Sequence, residues 1–364
     1  MRLALITINF LFLISAFTGC HEKKRSQTDS DLMIGIKVYN IDRGLKALFE
    51  EWDALGINIV FASPSVFNGQ FTELARKHDI QTFLILPVFY DPEALYDQPD
   101  LYAITDKGEK AIEDWVEFVC PSREHYRKTK IEYISQLVSD LDPDGISLDF
   151  IRYFCFWEKV YPDRHPDSIP NTCFCPVCLK KFQSDMDISI PESLTNVNEI
   201  AGWINENHQS EWIDWKCSLI GSMLSEIVNE AKKINPEIKV NLHVVPWRQD
   251  DFNNAIKRIV AQDFSAFAEY ADIISPMTYS HMLKREPSWI QSVVKDISPQ
   301  VNCKVIPSIQ VNEAYLVDIL SVEEFEQTLI EALKPPSSGV FFWSWEQLEK
   351  NPEKKEILKK VLSF

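Results

Sequence analysis

Glycine is scarce in this chain, at 10 of 364 residues, and no glycine repeat or low-complexity segment occurs. That excludes collagen-like and linker-like proteins. Basic runs are also missing: Lys23-Lys24-Arg25 is the longest, and the formal charge is −17. Phosphate-backbone binding depends on clustered cations, so a nucleic-acid partner is not expected. The seven histidines are scattered, without a His-x-Glu or His-x-x-x-His pair, which argues against a metal-dependent hydrolase. With 8 cysteines in 364 residues, the chain is no small disulfide scaffold. What it has is apolar material, 45% hydrophobic and 12% aromatic, enough for one large domain or two modest ones.

The amino terminus reads as an export signal. Arg2 precedes an apolar stretch, Leu3 to Phe17, that falls short of the ~18–20 residues of a spanning helix. It ends in Phe17-Thr18-Gly19-Cys20, which resembles the lipobox of bacterial lipoproteins, with Phe17 in place of the usual leucine. The expectation is a signal peptide at 1–19, a lipidated Cys20, a polar tether at 20–31 and a folded domain at 32–364. The alternative is an ordinary secretory signal with an incidental cysteine. No second apolar run is long enough to cross a membrane, so contact through the N-terminal lipid alone, in the bacterial cell envelope, is expected.

From residue 32 onward short apolar runs alternate with helix-patterned stretches. Expected strands are Met33–Tyr39, Ile57–Ala62, Thr82–Val88, Gly145–Phe150, Val240–Val245, Ile273–Thr278, Lys304–Ile309 and Val340–Trp343. Their near-continuous apolarity suits parallel strands covered on both faces. Expected helices include Leu45–Leu55, Arg127–Leu141, Trp212–Ile234, Phe264–Tyr270 and Val322–Leu333. Eight strand-then-helix units predict an α/β fold of the (β/α)8 TIM-barrel type. An open doubly wound sheet is disfavoured, because no glycine-rich turn follows the first strand. Two segments exceed ordinary loop length, Asp91 to Val119 after strand 3 and Tyr153 to Ser210 after strand 4. As long inserts they would emerge at the carboxyl-terminal face, where barrel active sites lie.

The most informative segment is Asp144-Gly145-Ile146-Ser147-Leu148-Asp149-Phe150-Ile151-Arg152-Tyr153. Alternation puts Ser147 and Asp149 on one face, with Asp149 at the strand end and Arg152 within reach as an ion partner. A carboxylate at a barrel mouth can be desolvated and still reach a ligand, which suits acid–base or nucleophilic work. The plainer alternative is a structural Asp149–Arg152 pair.

This segment resembles the DGIHLDYIRY signature of hypothetical glycosyl-hydrolase barrels related to the family 10-like group. Phe118-Val119-Cys120-Pro121-Ser122, Cys173-Phe174-Cys175-Pro176-Val177-Cys178 with Phe182, Ala261-Gln262-Asp263-Phe264 and Ser275-Pro276-Met277-Thr278-Tyr279 fit the same pattern. The resemblance implies a barrel that acts on or binds carbohydrate. A more distant similarity is to family 18 chitinases, through Asp144, Gly145, Asp149, Met277-Thr278-Tyr279 and Trp343. Ile151 stands where their catalytic glutamate would be, so chitinase activity is not implied.

Most glycoside hydrolysis uses two carboxyl groups. The first choice to accompany Asp149 is Glu346, beside Trp343 and Trp345; Asp250, Asp251 and Glu313 are further candidates. Tyr39, Trp247, Tyr279, Trp343 and Trp345 fall near strand ends and offer faces for sugar rings, unless they are core. Arg152, His243, Tyr279, His281 and Gln310 could contact hydroxyls, though His243 suits an interior role equally. Cys155, Cys173, Cys175 and Cys178 are a candidate structural zinc set, with disulfides, to Cys120 or Cys155, as the competing reading in an exported chain. No cofactor is expected for catalysis. The combined expectation is a glycoside hydrolase, against a non-catalytic carbohydrate-binding barrel.

Overall fold

The computed structural model describes residues 32–362. The expected signal peptide, Cys20 and the tether lie outside the described residues. Nine hydrogen-bonded segments form one parallel sheet. We number its strands β1 (Met33–Val38), β2 (Ile59–Ala62), β3 (Gln81–Pro87), β4 (Gly145–Asp149), β5 (Lys239–Val244), β6 (Ile273–Pro276), β7 and β8 (Gly339–Trp343). Strand β7 is in two pieces, Lys304–Val305 and Ser308–Gln310, because Pro307 between them has no amide hydrogen to give the ladder. All eight expected strands are present, with ends displaced by at most two residues.

The sheet curls round on itself through β7. Its first piece pairs with β6 (Ile273 with Lys304), and its second with β8 (Ser308 with Phe341). Strand β8 pairs with β1, and the order runs β1-β2-β3-β4-β5-β6 back to β7. The two ends of the sheet are therefore one continuous stretch of chain, and the parallel ring is complete. Amphipathic helices such as Leu45–Ala54, Glu124–Leu141, Gln209–Ile234 and Val322–Ala332 cover its outer face.

Inside the ring the amino-terminal half is apolar and the carboxyl-terminal half polar. Ile59, Phe61, Phe83, Ile85, Ile273, Ile306 and Phe341 fill the lower part. The rings of Phe61 and Phe83 sit 5.2 Å apart, and those of Phe61 and Phe341 4.6 Å apart. Gly35 and Gly145 make room for them: a Cβ on Gly35 would meet Phe341 and Phe61, and one on Gly145 would run into Phe83. Above this layer lie Lys37, Ser147, Asp149, Asn241, His243 and Ser275, all buried. Asn241 joins three strands, donating to Ser147 Oγ (2.8 Å) and accepting from Ser275 Oγ (2.7 Å).

Two long stretches follow β3 and β4. The first, 88–123, holds the helix Pro92–Asp97 and a hairpin of Ile112–Glu113 with Val116–Glu117. The second, 150–208, holds short 3-10 turns and the helices Pro176–Met186 and Val197–Asn207. No described helix is long and apolar enough to cross a membrane.

Replacing Gly145 with Ala should overpack the Phe83 layer. The expected loss is about 1–3 kcal/mol of unfolding free energy, read from urea denaturation against the parent chain.

Candidate active site

Asp149 ends β4, and its strand position follows from alternation with Ser147 on the interior face. The side chain is 9% exposed, and its Oδ1 accepts the amide of Phe150 at 2.8 Å. Phe150 has a positive φ of 52°, so the chain leaves the strand sharply at that point. Asp149, Tyr39 and Phe150 line a cavity of about 890 Å3 that also takes in Tyr90, Tyr126 and Lys130. A larger cavity of about 1380 Å3 lies among the outer helices and contains no strand-end residue, so it is remote from Asp149.

Charges converge around this carboxylate. Lys37 is 2% exposed inside the ring, and its Nζ donates to the Tyr279 hydroxyl at 3.4 Å. Burial brings its pKa down to about 8, opposed by the negative charge of Asp149. Glu158, in the 3-10 turn Trp157–Lys159, is 8% exposed, and its Oε2 has no hydrogen-bond partner among the described residues. Burial pushes its pKa up to about 7; Arg152 works against that and Asp149 adds to it. The Tyr39 phenol is raised by burial and by the fields of Asp149 and Glu346, with a hydrogen bond to Trp343 pulling the other way. Glu158 is thus a buried carboxyl group outside the cavity lining, near enough to Asp149 for its charge to add to the upward shift.

Aromatic rings extend the same face. Tyr279 stacks on Trp343 at 4.8 Å and 23°, and Trp157 tilts against Tyr279 at 5.9 Å, which seats the Glu158 turn over the strand ends. Tyr90 stacks on Phe150 at 4.9 Å, with Trp115 edge-on to Tyr90 at 5.5 Å.

The structure separates the other expected residues. Arg152 is not the ion partner of Asp149: its Nη1 donates to the carbonyls of Tyr153 (3.1 Å) and Cys155 (3.0 Å). Its guanidinium lies 4.7 Å from the Phe118 ring centre, because the turn at Phe150 redirects it. His243 is an interior histidine, kept well below its ordinary pKa by burial and then by Lys37. Glu346 Oε1 accepts the amides of Tyr39 (2.6 Å) and Asn40 (2.9 Å), tying the end of β8 to that of β1. It lines a separate cavity of about 350 Å3 with Asn40 and Arg43. Trp247 is buried against Phe252, and Trp345 is buried edge-on to Trp52, so neither offers a free ring face. Gln310 spends its amide on Met282 N and Asn312 O. His281 is held by Glu324 and the Asp318 carbonyl, beside a different cavity. Asp251 is paired with Arg248, while Asp250 and Glu313 are exposed.

Cys155 lies outside the thiol cluster, which Cys120 completes with Cys173, Cys175 and Cys178. Sequence spacing favoured Cys155 by proximity; the fold instead carries Cys120 in from the preceding long segment. Glu158 and Lys37 were missed. Lys37 left a readable trace, a cation at an interior position of an apolar strand. Glu158 left none, since nothing local marks its turn as folding over the strand ends.

No family model matches this sequence, and no curated protein does. Solved structures do. The glycoside hydrolase domain of PgaB (BpsB) from Bordetella bronchiseptica is similar at 13% identity and TM-score 0.67, over 90% of this chain and 98% of that one. A beta-galactosidase from the psychrophilic Marinomonas ef1 gives 10% and 0.66, over 91% of this chain. Alpha-L-fucosidase isoenzyme 2 from Paenibacillus thiaminolyticus gives 11% and 0.58, over 92%. This chain spans 59% and 49% of those last two chains. At such identities the likeness establishes a fold shared with glycoside hydrolases.

The raised pKa of Glu158 makes stability depend on pH. The folded group binds its proton more tightly than the unfolded one, so stability falls as pH rises from 4.5 to about 7. Glu158→Gln should therefore be more stable than the parent by about 3 kcal/mol above neutrality, with the gap closing in acid. Denaturant unfolding across pH reads this directly.

Proposed function

We propose that this chain is a glycoside hydrolase that cleaves an oligo- or polysaccharide with Asp149 and Glu158 as its two carboxyl groups. The observation that carries the reading is Asp149 on the wall of the 890 Å3 cavity at the strand ends, with a second carboxyl group close enough to feel its charge. Hydrolysis needs one carboxyl group that gives a proton to the departing oxygen and one that stays ionised toward the anomeric carbon or its attacking water. Glu158, protonated near neutrality by burial, fits the donor. Asp149, at the strand end on the cavity wall, takes the part of the other carboxyl group.

Glu346, the first expectation for the second carboxyl group, is less suited, because one oxygen already serves two backbone amides. Tyr90, Phe150 and Tyr39 supply ring faces for a saccharide along the cavity. The fold shared with glycoside hydrolases supports the class of reaction, without indicating sugar or linkage. In this reading Cys20 carries the lipid that holds the domain at the cell envelope.

The test begins with a polysaccharide screen for released reducing ends. On a substrate so found, Asp149→Asn should lower turnover on the order of 10³-fold in a variant whose circular dichroism shows it still folded. Glu158→Gln should lose on the order of 10²-fold and abolish the fall in rate as pH rises through about 7. An aryl glycoside with a good leaving group should restore much of the Glu158→Gln loss and none of that at Asp149. Unchanged rates in the Asp149 variant would remove it from the chemistry. Tight glycan binding with no reducing ends would replace hydrolysis with carbohydrate binding.

A further inference from the structure

Away from the carboxyl groups, Cys120, Cys173, Cys175 and Cys178 bring their sulfur atoms within 4.8 Å of one another, all four buried. Cys120 Sγ lies 3.6 Å from Cys175 Sγ and 3.4 Å from Cys178 Sγ. Four thiolates around a zinc ion at about 2.3 Å stand about 3.8 Å apart in a tetrahedron. Disulfides would sort the thiols into pairs at about 2.05 Å, whereas Cys120 has two neighbours at nearly equal distance. The geometry is that of a common centre.

The surroundings suit sulfur that carries negative charge. The amide of Ile104 donates to Cys173 Sγ at 3.2 Å, and that of Cys178 to Cys175 Sγ at 3.5 Å. The Ser122 hydroxyl is 3.1 Å from Cys178 Sγ. Such donors orient thiolate ligands and spread their charge. Lys216, fully buried, is held by Asn171 Oδ1 (2.7 Å), the Arg258 carbonyl (2.6 Å) and the carbonyl of Thr172 (3.2 Å), next to Cys173 in the chain.

We propose that Cys120, Cys173, Cys175 and Cys178 form a structural site for a single tetrahedral zinc ion that staples together the two long segments following β3 and β4. Four sulfur ligands leave no open position, so the ion performs no chemistry on substrate. Softness selects the metal: thiolates discriminate against magnesium and calcium. The staple reinforces contacts between the same segments, the pairing of Thr105 with Thr172 and the Phe174 amide on the Ile104 carbonyl (2.9 Å). This inference is independent of the hydrolase reading, and its test uses no substrate.

The full chain, purified without chelator, should retain one zinc ion per molecule by elemental analysis. Replacing zinc with cobalt should give thiolate-to-cobalt charge-transfer absorption and the visible bands of a tetrahedral ion. Stripping the metal with a strong chelator should lower the thermal midpoint by at least about 5 °C, and adding zinc should restore it. Cys178→Ser should lose most of the zinc, while Cys155→Ser should keep it all. If Cys178→Ser fails to fold, metal content and cobalt spectrum of the parent chain decide alone. A parent chain without zinc that takes up none on incubation with zinc under reducing conditions overturns the proposal. So does a disulfide joining any two of the four cysteines, seen by non-reducing peptide mapping.

Discussion

The interior of a closed ring of strands gives little solvation to a charge, and this chain buries Lys37, Asp149, Arg152 and Glu158 at one end of it. An isolated ion there would cost several kcal/mol, so the four persist only as a mutually compensating set. Each adjusts differently. Lys37 gives up part of its affinity for its proton, while Glu158 holds its own more tightly. Arg152 rests against the Phe118 ring and donates to two carbonyls. Position follows from the strands: alternation along β1 and β4 turns Lys37 and Asp149 inward, and parallel pairing brings their ends to the same rim.

Division of the interior into two layers explains why this arrangement can fold. Phe61, Phe83 and Phe341 close the lower part over Gly35 and Gly145, excluding water beneath the charges. Asn241, Ser147 and Ser275 then form a neutral hydrogen-bonded layer between apolar floor and ionised rim. His243, neutral through burial and the nearby ammonium, belongs to that layer rather than to the ligand face. Along β1, β4 and β5 the interior positions become polar toward the carboxyl end, at Lys37, Asp149 and His243.

Strand positions and the place of Asp149 were legible because period-two alternation and apolar runs are local properties of sequence. Pairings across the chain were not. Arg152 stands three residues from Asp149, yet the positive φ at Phe150 turns it toward Tyr153 and Cys155 carbonyls instead. Trp345 looked like a sugar platform beside Trp343; the helix that begins with it packs it against Trp52. Outside the Cys173-Cys175-Cys178 run, Cys155 was the nearest thiol in sequence, but Cys120 arrives through its own amide on the Leu101 carbonyl and the Val119 amide on the Phe89 carbonyl. Glu158 depends on Trp157 finding Tyr279, a contact that no spacing rule encodes.

The thiol cluster and the carboxyl groups, although separate, share a mechanical connection. Cys120 stands two residues beyond Phe118, whose ring supports the Arg152 guanidinium and meets Phe150 at 5.9 Å. Cys173 and Cys175 follow Glu158 on the same long segment. A centre that fixes Cys120 to Cys173, Cys175 and Cys178 therefore fixes both the aromatic support of Arg152 and the segment that carries Glu158. Arg152 is the group that opposes the upward shift of Glu158. Loosening the cluster would let that cation relax toward solvent, where screening weakens its hold on the carboxyl group. On the proposal of a zinc ion among the four thiols, the firmness of that join would bear on the proton affinity of Glu158.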